Sequence, residues 1–363
     1  QALGLAAQAL FISSPNPRVG CVIARPDGTV LGQGFTQAVG GPHAEIVALR
    51  DASAAGQDVR GATAYVTLEP CAHQGRTGPC CDALVAAGIG KVVASLEDAN
   101  PLVAGQGFAR LRAAGVEVEV GPGAAQAREL NLGFFSRMVR GTPWVRLKVA
   151  ASLDGTTALA NGASQWITSP EARADGHAWR ARACAVLTGI GTVLADDPRL
   201  DVRELPTPRQ PQLVVLDSRL RTPLSAQLFI AGRPTTLCAG GHSDPDFLAR
   251  KAALEARGAT VLQLPGPAGQ VDLPKMLRAL AARGVNELHV EAGRQLNGAL
   301  LGAGLVDELL LYFAPKLLGP GRGMADMPAL EDLAGGISLE WQAAERIGPD
   351  LRVLARVAGH DRF

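Results

Sequence analysis

The chain has 363 residues, and its 35 Lys and Arg against 34 Asp and Glu leave a formal net charge of +1. At roughly 100–200 residues per domain, this length predicts two domains. A content of 47% hydrophobic and 19% charged residues is typical of a globular chain and excludes a disordered one. The near-zero charge and the 4% of aromatic residues argue against a protein that coats nucleic acid or an anionic membrane.

The sequence shows no targeting or membrane segment. No apolar run approaches the roughly 18 residues that a membrane-spanning helix needs, and the first residues are typical of neither a signal nor a transit peptide. Because the chain begins at Gln1, we expect a few native residues to precede it. Six cysteines are too few for a disulfide scaffold, so we expect a cytoplasmic protein in which clustered cysteines serve metal or catalytic chemistry.

The first part of the chain alternates predicted helices and strands. A helix opens the chain, a hairpin turns at Pro26-Asp27-Gly28, and further helices begin at His43 and Cys81. The strands are predicted at residues 19–24, 30–35, 62–67 and 91–95. This alternation continues to residue 135 and predicts a three-layer α/β/α domain, which we place at residues 1–141.

A second α/β domain is predicted at residues 142–363, with its first strand beginning at Trp144. Further strands are predicted near 185–188, 212–217, 235–239, 260–264, 287–291, 308–314, 338–347 and 351–357. Helices separate most of them. The last two are joined by the turn Gly348-Pro349-Asp350, which predicts that the sheet ends in antiparallel strands.

The strongest chemical signal is a set of metal-ligand residues in the first domain. His43, Cys71 and Cys80 with one water would complete a tetrahedral catalytic zinc site. Residues two apart on a helix point about 200° apart, so His43 and Glu45 can share a site only over the first helical turn. A helix beginning near Cys80 would direct the positive end of its dipole at the metal and favour the thiolate.

Glu45 has no place among these ligands and fits a different role. Zinc lowers the pKa of a water bound to it, and a nearby carboxylate can carry the water proton to a leaving amine. These residues therefore indicate hydrolytic removal of an amine from a heteroaromatic ring.

Alternatives remain open at this site. The cysteines and the histidine could be ordinary buried side chains, or they could hold a structural zinc, although eight residues separate Cys71 from Cys80 and a structural site has no use for Glu45. Chemistry alone does not choose between Cys80 and Cys81 as the ligand, and His73 is a rival ligand.

The pattern His-x-Glu followed by Pro-Cys resembles the cytidine-deaminase-like superfamily, from whose Pro-Cys-x-x-Cys this chain departs in the cysteine spacing. Residues 66–80 and 15–22 resemble the deaminase half of the bifunctional riboflavin-biosynthesis deaminase/reductase family. The resemblance implies that Cys80 is the ligand after Gly78-Pro79. It also implies that Asn16 contacts the pyrimidine, and the alternative for Asn16 is a turn residue between two prolines.

The second domain resembles the reductase half of the same family at residues 147–155, 164–169, 192–198, 290–293 and 314–319. No Gly-x-Gly-x-x-Gly follows the first strand, which argues against a Rossmann site. The resemblance implies a dihydrofolate-reductase-like fold that binds NADPH. The residues alone indicate a strand that runs into Gly293 and a helix from about Gln295 that can offer N–H groups to a phosphate.

The resemblance also implies individual contacts in this domain. NADPH would contact Ala150, Trp166, Thr192, Asp196, Ser218, Gly293, Arg294, Gln295, Leu296, Asn297, Gly298 and Ala299. The substrate would contact Ser164, Arg180, Leu200, Arg203 and Glu291. The alternatives are a core role for Trp166, solvated charges for Arg180 and Arg203, and a turn cap for Asp196.

The family implies two consecutive reactions on a small molecule. Zinc-dependent deamination of 2,5-diamino-6-(5-phosphoribosylamino)pyrimidin-4(3H)-one precedes NADPH-dependent reduction to 5-amino-6-(5-phosphoribitylamino)uracil. We expect a homo-oligomer with no nucleic-acid or membrane partner. Two competing hypotheses are a nucleic-acid or nucleoside zinc deaminase with an unrelated C-terminal nucleotide-binding domain, and a zinc-stabilised binding module. An editing deaminase predicts a basic stripe and flanking aromatics, which the composition does not supply.

Overall fold

A computed structural model describes residues 1–73, 78–101 and 103–363 and divides into two compact units, Gln1–Gly141 and Thr142–Phe363. Residues 74–77 of the motif that links Cys71 to Cys80 lie outside the described residues. Within the described ranges, no helix combines the length and the apolar character that a membrane span requires.

The first unit contains one five-stranded sheet in the order β2-β1-β3-β4-β5. Its helices are α1 Ala2–Gln8, α2 Ala44–Ala54, α3 Cys80–Ala86, α4 Gln106–Ala113 and α5 Ala124–Arg140. Its strands are β1 Gly20–Ala24, β2 Val30–Phe35, β3 Thr63–Val66, β4 Lys91–Ala94 and β5 Glu117–Val120. The β1–β2 hairpin is antiparallel, as is β1–β3, whereas β3, β4 and β5 run parallel. The predicted hairpin and the alternation of helices and strands are confirmed.

Two glycines show how closely helices cover both faces of this sheet. A Cβ on Gly20 of β1 would lie 2.0 Å from the Ala2 carbonyl oxygen of α1. A Cβ on Gly32 of β2 would lie 2.3 Å from the Ala48 carbonyl oxygen of α2. Gly32 pairs with Ile23, three residues beyond Gly20 on β1, so the two glycines face opposite sides of the pleated sheet. The predicted three layers follow from this arrangement.

The second unit contains a nine-stranded sheet in the order β11-β10-β9-β8-β12-β6-β13-β16-β15. Its principal strands are β6 Trp144–Ser152, β8 Ala185–Gly189, β9 Gln212–Leu216, β10 Thr235–Ala239, β11 Thr260–Gln263, β12 Glu287–Val290, β13 Glu308–Ala314, β15 Leu339–Ile347 and β16 Asp350–Val357. The short strands β7 Ala158–Leu159 and β14 Gly321–Arg322 pair separately. Its helices are α6 Pro170–Arg182, α7 Ile190–Asp196, α8 Pro245–Ala256, α9 Leu273–Ala282 and α10 Arg294–Gly302.

The strands from β11 to β13 are parallel, and β13, β16 and β15 close the sheet antiparallel, as predicted. The inner parallel strands β8, β9, β10 and β12 are largely buried on both faces, which explains their nearly continuous apolar sequences. Because parallel strands end at one edge, the loops after them meet there. This edge carries the cleft of the second unit.

Two helix boundaries differ from the prediction by one residue. Helix α2 begins at Ala44, because His43 has the extended backbone of an N-cap residue, with φ −72° and ψ 164°. Helix α3 begins at Cys80, not Cys81. Both shifts place a predicted metal ligand at the very start of a helix.

Candidate active sites

Three metal-ligand side chains meet in the first unit at the beginnings of two helices. His43, Cys71 and Cys80 each offer one ligand atom, and these atoms lie within 4.8 Å of one another. The His43 Nδ1 atom lies 3.5 Å from Cys71 Sγ and 3.3 Å from Cys80 Sγ. The Cys80 backbone N–H donates to Cys71 Sγ at 3.4 Å. The first turn of α3 therefore stabilises negative charge on the Cys71 sulfur.

The donor set of this cluster fits zinc. The pKa of the Cys71 thiol is lowered by hydrogen bonding with Cys80 and, after the opposing effect of burial, by His43. The same pairing with Cys71, together with burial, raises the pKa of Cys80. Two sulfurs and one imidazole nitrogen form the protein share of a catalytic zinc site with a fourth position left for water.

The structure also separates the candidates that the sequence left open. The Cys81 side chain is buried, and its Sγ lies 3.6 Å from Asp82 Oδ1, to which it donates. His73 is exposed and lies outside the cluster. Among the described residues, Cys80 is thus the thiol that the fold brings to His43 and Cys71.

Glu45 lies in the first turn of α2, two residues after His43, and is 3% exposed. Burial and the negative charge of Cys71 raise the pKa of the Glu45 carboxyl to about 7. A carboxyl group that titrates near neutral pH is suited to take up and release a proton. As expected from the sequence, His43 and Glu45 both lie at the first turn of this helix.

Asn16 lies in the turn between α1 and β1, where its backbone N–H donates to the Ser13 carbonyl at 2.8 Å. The turn role that the sequence offered as an alternative is therefore observed for its backbone. Contact between its side chain and a pyrimidine stays a prediction.

Glu69 organises the loop beside the cluster, a role that the sequence reasoning missed. Its buried carboxylate accepts backbone N–H groups from Asp98 at 3.1 Å, Gly105 at 2.9 Å, Gly107 at 2.7 Å and Phe108 at 3.3 Å. Glu69 stands two residues before Cys71, so it ties this ligand's segment to the loop and to the start of α4. In the sequence, the only indication of this role was an acidic residue directly before Pro70-Cys71.

We expect Glu69→Ala to destabilise the first unit by at least about 1–3 kcal/mol, because buried backbone donors lose their acceptor. Chemical denaturation followed by circular dichroism measures this change. Glu97→Ala is the control, since Glu97 is an exposed carboxylate in the same loop. Equal free energies of unfolding for the two variants would show that the four hydrogen bonds make no net contribution to stability.

The second unit contains an open cleft of about 1800 Å³ at the carboxyl edge of the sheet. All but one of the predicted cofactor and substrate residues of this unit line it. They are Ala150, Ser164, Trp166, Arg180, Thr192, Asp196, Leu200, Arg203, Ser218, Glu291, Gly293, Arg294, Gln295, Leu296, Asn297 and Ala299. The fold thus gathers positions that are up to about 150 residues apart in sequence.

Gly298 is the exception. It is buried in α10, and a Cβ there would lie 2.0 Å from the Asp326 carbonyl oxygen. Gly298 therefore permits a loop to pack against the helix, and its contact with the cofactor stays a prediction. The structure also excludes a core role for Trp166, because this residue is 63% exposed. The Arg173 guanidinium lies over its ring, 4.4 Å from the ring centroid.

Arg180 and Glu291 form an ion pair at the cleft, so Arg180 is not a solvated charge. Arg180 Nε donates to Glu291 Oε1, and its Nη2 donates to Oε2 at 2.9 Å. Its Nη1 donates to the Asp201 carbonyl at 3.0 Å. Burial alone would raise the pKa of Glu291, but the charge and the hydrogen bonds of Arg180 outweigh it and hold the pKa well below its usual value. Glu291 is therefore a carboxylate at neutral pH.

A second charge cluster surrounds the buried carboxylate of Asp201. Arg203 Nη1 donates to Asp201 Oδ1 at 2.9 Å, and Arg199 Nη2 donates to Oδ2 at 2.8 Å. The Arg203 backbone N–H donates to His177 Nδ1 at 3.3 Å. Arg199 and His177 also line the cleft, and the sequence reasoning missed both. No sequence motif links Arg199 or His177 to Arg203, so nothing in the sequence indicated that they line the cleft.

Comparisons with known proteins agree with this arrangement. Residues 1–96 match the family described as the cytidine and deoxycytidylate deaminase zinc-binding region, and residues 143–353 match the RibD C-terminal domain. The second match alone spans more than half of the chain. The two matched regions contain the metal cluster and the cleft, respectively.

Full-length relatives share both regions in the same order. The riboflavin biosynthesis protein RibD of Escherichia coli is 46% identical over 356 residues, which cover 97% of this chain and 96% of that protein. The Acinetobacter baumannii RibD structure superposes with a TM-score of 0.88 at 41% identity, covering 98% of this chain and 96% of that one. A diaminohydroxyphosphoribosylaminopyrimidine deaminase/5-amino-6-(5-phosphoribosylamino)uracil reductase from Thermotoga maritima superposes with a TM-score of 0.85 at 30% identity, covering 98% and 97%. The chain therefore belongs to the RibD family and is a bifunctional deaminase and reductase of riboflavin biosynthesis.

Proposed function

We propose that the unit Gln1–Gly141 deaminates 2,5-diamino-6-(5-phosphoribosylamino)pyrimidin-4(3H)-one and that Thr142–Phe363 reduces the product with NADPH to 5-amino-6-(5-phosphoribitylamino)uracil. The observation that carries the first assignment is the His43, Cys71 and Cys80 cluster beside buried Glu45. The second rests on the cleft that gathers the predicted reductase residues.

In the deaminase unit, His43, Cys71 and Cys80 would hold zinc, which supplies a water of lowered pKa. Glu45 would accept a proton from that water and deliver it to the exocyclic amine. The ring carbon gains an oxygen, the carbon–nitrogen bond breaks, and ammonia leaves. The raised pKa of Glu45 matches this double role, because the group must both bind and release a proton near neutral pH.

In the reductase unit, the cleft residues would hold NADPH, which when bound would supply a hydride for C1′ of the ring-opened sugar, where the sugar forms a Schiff base with the amine. Addition of hydride to carbon and a proton to nitrogen converts ribosylamino to ribitylamino. Glu291, held ionised by Arg180, is suited to stabilise positive charge on the protonated Schiff base. Lys148 Nζ lies 3.9 Å from Glu291 Oε2, and it would orient the substrate's oxygens.

The sugar phosphate needs a fixed cation, and Arg203 is the more accessible of the two predicted arginines. Its side chain is 48% exposed, against 15% for Arg180. Because Arg180 is engaged by Glu291, we assign it to positioning that carboxylate. Arg203 uses one N–H group to bind Asp201, so its other N–H groups are available to a phosphate. The planar guanidinium matches the geometry of phosphate oxygens.

We expect Arg203→Ala to raise the KM for the phosphorylated substrate by roughly 10- to 150-fold, the loss of one charge-assisted hydrogen bond. The effect should weaken with added salt, because the group is exposed and screened. Steady-state kinetics with the phosphorylated and dephosphorylated substrates measure it. An equal rise in the KM for NADPH would assign Arg203 to the cofactor or to the fold.

Metal removal tests the proposal as a whole. A chelator should abolish ammonia release from the diaminopyrimidine, whereas NADPH oxidation with the deaminated intermediate should continue at the untreated rate. Added zinc should restore deamination. Loss of both activities on chelation would contradict the assignment of the two reactions to separate units.

We also propose a cytoplasmic homo-oligomer without a nucleic-acid or membrane partner. The six cysteines, all within the described residues, form no disulfide, and the net charge of +1 disfavours polyanion binding. The edge strand β15 exposes Trp341 to 71%, which supports self-association. Light scattering at several concentrations tests the assembly, and a monomer at all of them would contradict it.

A further inference from the structure

The segment that leads into β1 lies at the edge of the first sheet that carries the metal cluster. Strand β1 runs antiparallel to both of its neighbours, so it begins beside the ends of β2 and β3. The chain continues from β2 to His43 and from β3 to Cys71. Asn16, which precedes β1 by four residues, therefore lies at the same edge as these ligands.

Two buried threonines tie the start of β1 to the segments that lead to these ligands. The Val19 N–H donates to Thr36 Oγ1, and the Gly20 N–H donates to Thr67 Oγ1, both at 3.1 Å. Each threonine N–H donates in return to the carbonyl of the same residue, at 2.9 Å for Thr36 and 3.1 Å for Thr67. Because Thr36 follows β2 and Thr67 follows β3, the start of β1 is fixed relative to both segments.

Arg18, the residue before this pair, is held by Asn131 of α5. Asn131 is 2% exposed, and its Oδ1 accepts the Arg18 backbone N–H at 2.7 Å while its Nδ2 donates to the Arg18 carbonyl at 2.9 Å. The Arg18 side chain also contacts α5, because its Nη1 donates to the Leu130 carbonyl at 2.6 Å. The Asn131 amide thus makes the same two bonds to Arg18 that a residue of a neighbouring antiparallel strand would make.

Helix α5 holds the chain on both sides of Asn16. Arg137 Nη2 donates to the Pro15 carbonyl at 3.3 Å, and Asn131 binds Arg18 on the other side. At Asn131 the backbone of α5 leaves helical geometry, with φ −121° and ψ 15°. The helix is therefore distorted at the residue whose amide pairs with the segment before β1.

We propose that Asn131 is a positioning residue of the deaminase unit, which holds Asn16 in place for contact with the pyrimidine. The inference rests on the proposed deamination and on the predicted contact of Asn16. A substrate that binds a pre-ordered group does not spend binding free energy on ordering it. Asn131 therefore acts on the affinity for the substrate, through Asn16, and leaves zinc binding to His43, Cys71 and Cys80.

Steady-state deamination by the zinc-loaded full chain, followed as ammonia release, tests this role. Asn131→Ala should raise the KM for the diaminopyrimidine by roughly tenfold and leave kcat within about twofold, as expected when a uniform binding contact is weakened. Zinc content should stay at the parent level, and so should NADPH oxidation with the deaminated intermediate.

Leu132→Ala is the matched control for a merely structural effect. Leu132 is the next residue of α5 and is 2% exposed, and adjacent residues on a helix point about 100° apart. The substitution should lower the unfolding temperature, because it leaves a cavity in the core, and should keep the parent KM. Asn131→Asp provides a second variant, since it preserves the size of the side chain and the acceptor for the Arg18 N–H. Its KM should lie between those of the parent and Asn131→Ala.

A double-variant cycle measures whether Asn131 acts through Asn16. Asn16→Ala should raise the KM at least as much as Asn131→Ala, and the double variant should show no further rise, whereas independent effects would multiply. Calorimetry in the Glu45→Gln background measures the same affinities without turnover. There the diaminopyrimidine should bind roughly tenfold more weakly after Asn131→Ala.

Three outcomes would overturn the inference while deamination by the parent chain continues. They are a parent KM in both Asn131 variants, multiplied effects in the double variant, and an equal rise in KM for Leu132→Ala. Absence of deamination by the zinc-loaded parent chain would instead overturn the proposed function, and the inference with it.

Discussion

Glu45→Gln should slow deamination by at least roughly 10²- to 10⁴-fold while the chain keeps its metal. The substitution preserves the size of the side chain, so its buried place in the first turn of α2 remains filled. The amide cannot take up and release the proton that the water loses and the amine gains. Ammonia release in a stopped assay measures the rate, and metal analysis per chain measures occupancy.

The second reaction supplies the internal control for this variant. NADPH oxidation with the deaminated intermediate should keep the parent rate, because Glu291 and the cleft belong to the other unit. Glu97→Gln is the matched variant, since Glu97 is an exposed carboxylate of the same unit. Deamination at the parent rate in Glu45→Gln would remove Glu45 from the reaction.

Cys80→Ser should lose bound zinc and deaminase activity, whereas Cys81→Ser should keep both. The Cys80 sulfur lies 3.3 Å from His43 Nδ1, and the Cys81 sulfur lies against Asp82. A serine hydroxyl does not replace a thiolate as a zinc ligand, because it stays protonated at neutral pH. Elemental analysis of both purified variants measures the metal directly.

Cys81→Ser is a well-matched control for Cys80→Ser, because both cysteines are buried and each substitution removes one sulfur. Thermal unfolding of the two variants with excess chelator separates lost metal from a lost core contact. Retention of zinc by Cys80→Ser with its loss from Cys81→Ser would mean that the ligand is one residue later than the geometry indicates.

Local pattern was sufficient to predict the alternation of elements and the types of metal ligand. Hydrophobic periodicity and turn residues determine where strands such as β1 and β2 begin, so the hairpin at Pro26-Asp27-Gly28 was predictable. The antiparallel end of the large sheet was equally readable, because Gly348-Pro349-Asp350 leaves too little chain for a crossover helix. The combination of His43, Glu45, Cys71 and a cysteine at 80 or 81 also indicated zinc chemistry without a structure.

Long-range packing decided what the patterns left open. Adjacent cysteines on a helix point about 100° apart, so only the placement of α3 could decide between Cys80 and Cys81. The bond between Arg180 and Glu291 joins residues 111 positions apart, and no local pattern reveals that one carboxylate occupies the guanidinium. Likewise, Gly298 became a packing residue because the backbone of Asp326 crosses it. The sequence by itself determined which chemical groups are available, whereas the tertiary structure decided which of them face each other, because contacts between distant segments depend on how the elements pack.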